Sequence, residues 1–105
     1  MAIFTFITDY RGGTYICQKT APDLTSACRL WKEDVVSGGY VQFLDVGSFA
    51  RAFDENIDAL PPVAIDTVAS VWVFHLMFGR HMLDLHIVQT DTTTATMFNK
   101  LEAAA

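Results

Sequence analysis

Two strand-like runs joined by a short polar turn decide the fold of this chain: VWVFHLMFGRHMLDLHIV, residues 71–88. Both runs are rich in the β-branched and aromatic residues that suit a pleated, half-buried surface. We expect a hairpin of residues 67–78 and 82–90. With Gly79-Arg80 as the turn, the cross-strand pairs on one face are wholly apolar: Trp72 with Ile87, Phe74 with Leu85, and Leu76 with Leu83. This face must therefore pack against helices.

The opposite face of this hairpin mixes apolar and polar side chains. A solvated sheet face normally alternates with polar residues, and a large exposed apolar patch marks an interface. Small oligomers are mostly two-fold symmetric, so we expect a homodimer that pairs these faces. A histidine buried there would make association pH-dependent. The interface residues predicted in this way are Val71, Val73, Met77, Met82 and Val88.

The first residues of the chain predict a second hairpin. Strand-like runs at residues 3–8 and 16–19 flank Gly12-Gly13. A glycine pair supplies the positive φ angles that a tight hairpin turn requires. With this pair as the turn, Tyr10 lies opposite Tyr15, and both side chains face the core.

Two amphipathic helices are predicted between the hairpins. The first begins at Pro22-Asp23 and ends at residues 37–39, where glycine favours the left-handed stop. Its apolar stripe comprises Leu24, Ala27, Cys28, Trp31 and Val35. The second begins with Ser48 as N-cap and ends at Pro61-Pro62. Its stripe comprises Phe49, Ala52, Phe53, Ile57 and Leu60. Residues 40–44 form either a short strand or extended chain that crosses back.

These elements predict one α+β domain over residues 1–91. Its sheet is four-stranded and mainly antiparallel, built from two hairpins in the order ββ-αα-ββ, with two helices on one face. The order of the strands does not follow from the sequence. Residues 92–105 are expected to be a loose, Thr-rich tail, and its end, LEAAA, resembles a cloning remnant.

Composition excludes several classes of function. The net charge is −5, from seven Lys and Arg against twelve Asp and Glu, and no basic run occurs. Nucleic-acid binding depends on phosphate neutralisation, so neither a nucleic-acid partner nor an anionic membrane partner is expected. Two cysteines make no disulfide framework, and no apolar run approaches the ~20 residues of a membrane span. We therefore expect a cytoplasmic protein.

The stretch FTFITDYRGGTYI, residues 4–16, resembles the opening of a family of small uncharacterised bacterial proteins with a DYRGGTY hairpin motif. The helix that carries Pro22 and Trp31 and the pair Val71-Trp72 fit the same resemblance. It implies no activity. The hairpin-then-helix opening is more loosely similar to HicB-type antitoxins, although the proline-glycine-cysteine turn of that family is missing. That similarity implies a toxin-neutralising protein as one alternative.

His75, Asp84 and His86 form the most testable candidate site. In the predicted register His75 lies across from Asp84, with His86 on the diagonal. Two imidazoles and a carboxylate can bind a divalent metal or a small molecule, or act as an acid–base couple. The plainer interpretation is a cross-strand hydrogen bond on a semi-polar face. No spacing motif indicates a metal, so neither a metal site nor a cofactor is predicted.

Arg11, Tyr10 and Tyr15 are the other ligand-binding candidates. Arg11 can hold a carboxylate or phosphate bidentately, or else pair with Asp9 or face solvent. The tyrosines can line a pocket or simply stabilise the sheet. No catalytic residue is predicted, and the leading hypothesis is a non-enzymatic interaction module that forms a homodimer. The alternatives are a ligand-binding protein or enzyme that uses the histidine cluster, and a toxin-neutralising protein.

Overall fold

The computed structural model describes residues 1–90. These residues form five strands and two helices: β1 (Ala2–Tyr10), β2 (Gly13–Ala21), α1 (Leu24–Gly38), α2 (Val46–Asn56), β3 (Val63–Ala64), β4 (Val71–Phe78) and β5 (His81–Thr90). The strands make one antiparallel sheet in the order β2-β1-β5-β4-β3. The α+β class is confirmed, whereas the predicted tail at residues 92–105 lies outside the described residues. Neither helix has the length and apolar character that crossing a membrane requires.

The sheet of the described chain has five strands rather than the four predicted. The additional strand, β3, pairs only Val63 with Val73 and Ala64 with Trp72. Pro61-Pro62 comes directly before it, and proline has no amide hydrogen to donate to a strand ladder. The pairing therefore stops after two residues, which is too short for any periodic signal in the sequence.

The hairpin of β4 and β5 has the predicted register. Trp72 pairs with Ile87, and His75 pairs with Asp84. However, β4 begins at Val71 rather than at residue 67. The preceding Thr67 and Ser70 have φ angles of 69° and 61°, and such left-handed residues do not fit a strand.

The turn of the first hairpin is Arg11-Gly12, not Gly12-Gly13. Arg11 has φ 48° and Gly12 has φ 85°, which gives the two positive angles of a tight hairpin turn. Tyr15 therefore pairs with Thr8, and Tyr10 pairs with Gly13. The register differs from the prediction by two residues. Because side chains alternate with a period of two, the tyrosines still share one face.

Helix α1 matches the sequence prediction. The Asp23 carboxylate accepts a hydrogen bond of 2.7 Å from the Ser26 amide and so caps the first turn. At the other end Gly39 adopts φ 62°, the left-handed conformation that ends a helix.

Helix α2 begins three residues earlier than expected, because Asp45 and not Ser48 is its N-cap. The Asp45 carboxylate accepts from the Ser48 amide at 3.2 Å and from its hydroxyl at 3.0 Å. The helix ends at Asn56, well before the prolines, so Leu60 is 69% exposed instead of buried. Residues 40–44 contain no strand and form a turn in which Phe43 has φ 63°.

The core lies between the helices and one face of the sheet. Trp31 of α1 is fully buried, stacks on Phe6 of β1 at 5.9 Å between ring centroids, and meets Phe49 of α2 edge-on at 5.5 Å. Phe53 of α2 packs edge-on against Phe74 of β4 at 6.1 Å. Both helices therefore cover the same face of the sheet, as predicted. Within residues 1–90, nothing covers the opposite face, which we call the outer face.

Candidate functional site

The outer face is organised in rows that cross the strands. Strand pairing places five residues side by side in a middle row, which runs from β2 to β3: Ile16, Ile7, His86, Val73 and Val63. On the side nearer the hairpin turns lies a polar row: Thr14, Asp9, Asp84 and His75. On the other side lies a third row: Gln18, Thr5, Val88 and Val71.

Apolar side chains on this face are strongly exposed. Ile16 is 67%, Val63 64%, Met77 64% and Met82 46% exposed. All five predicted interface residues lie on the outer face, with Val71, Val73 and Val88 half-buried and the two methionines exposed. The sequence prediction missed Ile7 and Ile16, because strand order alone places the first hairpin beside β5. The face is therefore more extensive and more apolar than one hairpin indicated.

The polar row is held together by hydrogen bonds at both ends. His75 Nδ1 lies 2.6 Å from Asp84 Oδ1, and the Thr14 hydroxyl donates to Asp9 Oδ1 at 2.6 Å. Between these pairs, Asp9 and Asp84 lie directly opposite each other on neighbouring strands. Like charges in that position destabilise a sheet, so each carboxylate needs the partner on its outer side. When Asp84 accepts this hydrogen bond from Nδ1–H, Nε2 of His75 is left to meet a ligand or a partner protein.

His86 stands apart from this pair. It lies in the middle row, between Ile7 of β1 and Val73 of β4. Among residues 1–90, no three His, Cys, Asp or Glu side chains converge as ligands of a metal ion. The structure therefore joins His75 to Asp84 and gives no support to a metal site that also uses His86.

A groove of about 550 Å³ opens at the β4 edge of the sheet. Its lining comprises Ala59, Leu60, Pro61, Pro62, Val63, Val73, Phe74 and His75. The groove forms where the prolines prevent β3 from pairing further along β4. His75 is the only polar side chain in the lining, so the groove offers apolar surface with one imidazole at its rim.

Arg11, Tyr10 and Tyr15 are not brought together in this groove. Arg11 is exposed to solvent, which is one of the predicted alternatives, and its guanidinium carbon lies 5.2 Å from the centroid of the Phe43 ring in a cation–π contact rather than in a pair with Asp9. Tyr10 is buried and stacks on Phe78 at 5.6 Å. The Tyr15 hydroxyl accepts a hydrogen bond of 3.1 Å from the Gln42 amide. All three side chains thus have structural partners.

The two thiols lie on the helix-covered side of the sheet. Burial raises the pKa of Cys28 to about 12, so this thiol stays protonated at neutral pH and is a poor nucleophile. Cys17 Sγ lies 3.7 Å from the Tyr40 hydroxyl. Burial, and then the hydrogen bond with Cys17, raises the pKa of that phenol well above its ordinary value. Both contacts belong to the core and not to an open site.

Comparison with protein-family models, with curated proteins and with solved structures finds no match to this chain. The two features with functional character are the outer face, which is broad and largely apolar, and the His75–Asp84 pair, which lies on that face beside the groove.

Proposed function

We propose that this chain is a non-enzymatic protein-interaction module that forms a homodimer through its outer face. The observation that carries the proposal is the exposure of the middle row, whose two ends, Ile16 and Val63, are 67% and 64% exposed. Single exposed apolar residues are normal on protein surfaces, but here apolar residues follow one another across the sheet on both sides of His86, and a band of this extent marks a surface that is covered in use.

The dimensions of the outer face suit a partner of the same size. Strands of nine or ten residues are about 30 Å long, and five strands side by side are about 20 Å wide. The face thus covers roughly 600 Å², before the relief of the side chains is counted, against the ~800 Å² that each partner contributes to a standard interface. Two copies packed face to face reach the range of specific, stable complexes.

The charges on the outer face favour a second copy as the occupant. The strand residues of this face include two carboxylates, Asp9 and Asp84, and two imidazoles, His75 and His86, but no Lys or Arg. A second copy can therefore bring an imidazole to a carboxylate and apolar side chains to apolar side chains. A self-complementary surface of this sort is what a two-fold interface requires.

The groove favours a second candidate function, the binding of a small molecule at His75. An imidazole oriented by a carboxylate can act as a general acid or base if a substrate is bound beside it. Binding sites usually combine apolar walls with several convergent polar groups. Here one imidazole stands alone, and the lining contains no Ser, Thr or Cys nucleophile. The geometry therefore favours the interaction module.

Sedimentation velocity of matched charge variants tests the proposed homodimer. Ile16→Lys places a charge on the outer face, and because Ile16 is already 67% exposed, the fold should tolerate it. Leu30→Lys is the control, since Leu30 is 46% exposed on α1, away from the sheet. We expect the first variant to be monomeric and the second to remain dimeric. Equal sedimentation of the two variants and the unaltered protein would contradict an interface on the outer face.

A further inference from the structure

We propose that the two copies pack about a two-fold axis parallel to β5, so that Asp9 of each copy meets His75 of the other. In the same arrangement Ile16 of each copy enters the groove of the other. The inference rests on the proposed homodimer and adds its geometry. It identifies which residues of the outer face meet, and it gives the groove an occupant.

Two flat sheets that meet face to face have two simple choices of symmetry axis. If the axis runs along the strands, it exchanges the left and right edges of the sheet. Since β5 is the central strand, β2 of one copy then lies over β3 of the other, β1 lies over β4, and β5 lies over β5. If the axis instead runs across the strands along the middle row, every strand lies over its own copy, and the two ends of the strands are exchanged.

Charge distinguishes these two arrangements. With the axis along β5, the polar row of one copy lies over the polar row of the other. Asp9 then faces His75 on both sides of the axis, and the two copies of Asp84, each hydrogen-bonded to its own His75, lie next to each other at the axis. With the axis across the strands, the polar row lies over the third row, so that Asp84 faces Val88. A carboxylate buried against valine loses its water and gains no hydrogen bond in return, which is unfavourable. The axis along β5 gives two contacts between Asp9 and His75 against one between the two copies of Asp84, whereas the axis across the strands brings no imidazole to a carboxylate. The axis along β5 is therefore the favoured one.

Shape supports the same choice. Ile16 projects from β2, two strands from the centre of the sheet, and the groove lies beside β3 and β4 at the opposite edge. Ile16 belongs to the same row as Val63 and Val73, which line the groove. A two-fold axis along β5 thus carries Ile16 over the groove in both copies at once. An apolar side chain enters an apolar groove, and both are removed from water.

The contact at the axis gives a test of whether the two outer faces meet with β5 over β5. His86 occupies the middle row on the central strand, so the two copies of His86 lie next to each other at the axis. Thr5 lies on β1, one strand from the centre, and its two copies are separated by two strand spacings, about 10 Å. A disulfide requires Cβ atoms only about 4 Å apart. Cysteine at position 86 can therefore link the two copies, and cysteine at position 5 cannot.

The experiment compares His86→Cys with Thr5→Cys after mild oxidation, on non-reducing gels and by light scattering. The unaltered protein gives the baseline for Cys17 and Cys28. We expect a covalent dimer for His86→Cys in at least tenfold excess over Thr5→Cys. The choice of axis is tested by a second measurement, because His86 lies over its own copy with either axis: an equimolar mixture of Ile16→Cys and Val63→Cys should link, whereas each of these variants alone should not. Both positions are exposed in the single chain, so this pair remains informative even if His86→Cys misfolds.

Each outcome bears on one of the two proposals. If the protein is dimeric but Ile16→Cys links to itself, the axis lies across the strands or the β2 edges pair, and the inferred geometry is wrong while the homodimer stands. A dimeric protein in which the mixture does not link also contradicts the geometry, whether or not His86→Cys links. A protein that is monomeric at the same concentration contradicts the homodimer as well.

Discussion

His75 Nδ1 and Asp84 Oδ1 lie 2.6 Å apart across the β4–β5 hairpin, and Asp84 is at the same time directly opposite Asp9 on β1. The His75 imidazole therefore reduces the repulsion that Asp84 experiences from the facing carboxylate of Asp9. The Thr14 hydroxyl, at 2.6 Å, does the same for Asp9. The arrangement lets an acidic pair persist in the middle of a sheet, and it positions the free Nε2 of His75 at the rim of the groove.

Removal of His75 should expose the repulsion between Asp9 and Asp84. We expect His75→Ala to lower the free energy of unfolding by about 0.2–1 kcal/mol, the range for cross-strand pairs, because the two side chains of the pair are half exposed. Urea denaturation of the monomeric Ile16→Lys background measures the loss without dimerisation. Asp9→Asn added to His75→Ala should restore part of the stability. An unchanged midpoint in His75→Ala would show that the pair carries no net stabilisation.

Trp31 should dominate the stability of the core, since it is fully buried and contacts Phe6, Phe49 and Phe53. We expect Trp31→Ala to cost about 3–5 kcal/mol, the range for deleting a buried aromatic side chain. Trp31→Phe should lower the free energy of unfolding by less than the volume of the deleted atoms implies. The reason is that the buried Nε1 hydrogen makes no hydrogen bond of good geometry, only a weak interaction with the Tyr40 hydroxyl, and the substitution removes this poorly satisfied donor.

Chemical denaturation of both Trp31 variants beside Leu30→Ala checks this expectation. Leu30 is the neighbouring residue on α1 but is 46% exposed, so its truncation should change little. Similar costs for Trp31→Ala and Leu30→Ala would place the core elsewhere.

The N-caps of both helices should make stability fall in acid. Hydrogen bonds from the Ser26 amide and hydroxyl lower the pKa of Asp23 below its ordinary 3.8, and those from Ser48 do the same for Asp45. A carboxyl group whose pKa is lowered by folding stabilises the protein above pH 3.8. That stabilisation is lost as the pH falls through the folded-state pKa.

Thermal unfolding between pH 6 and pH 2 measures this loss. Asp45→Asn keeps an oxygen that accepts from Ser48 but does not titrate, so its melting temperature should fall less steeply in acid. Asp45→Ala should be less stable than either protein at pH 6, because the amide groups of the first turn lose their acceptor. If Asp45→Asn follows the acid profile of the unaltered protein, Asp45 is not a source of the pH dependence.

Cys28 should resist alkylation in the folded protein. Burial raises its pKa to about 12, so at pH 8 almost none of the reactive thiolate is present, and the side chain is also inaccessible. Iodoacetamide labelling followed by peptide mass spectrometry should show Cys28 modified only after urea is added. Cys17 is half-buried, so it provides the internal comparison. Rapid labelling of Cys28 in the native protein would contradict its place in the core.

Sequence patterns correctly predicted those parts of the fold that depend on residues close together in the sequence. The register of β4 and β5 followed from the alternation of apolar side chains around Gly79, and α1 followed from its apolar stripe and its terminal residues. Where a competing local interaction existed, the prediction was wrong. Arg11 takes a positive φ and moves the first turn by one residue, and Asp45 caps α2 ahead of Ser48.

The candidate site was only half predictable, because it depends on strand order. The cross-strand pair of His75 and Asp84 lies within one hairpin and was visible in the sequence. The middle row requires β1 to lie beside β5, a pairing between residues about 80 positions apart in the chain. Alternation within each strand does not specify such a long-range pairing. The two-residue strand β3, which creates the groove, carries no pattern at all.

Static light scattering on the eluate of a size-exclusion column tests the central claim most directly. The unaltered protein would be applied at neutral pH over a series of micromolar concentrations. An outer face that is an interface between two copies predicts a molar mass of twice the 11.7 kDa chain at the higher concentrations. A mass of one chain throughout the series would contradict the homodimer, and the apolar face would then have to be assigned to a different partner.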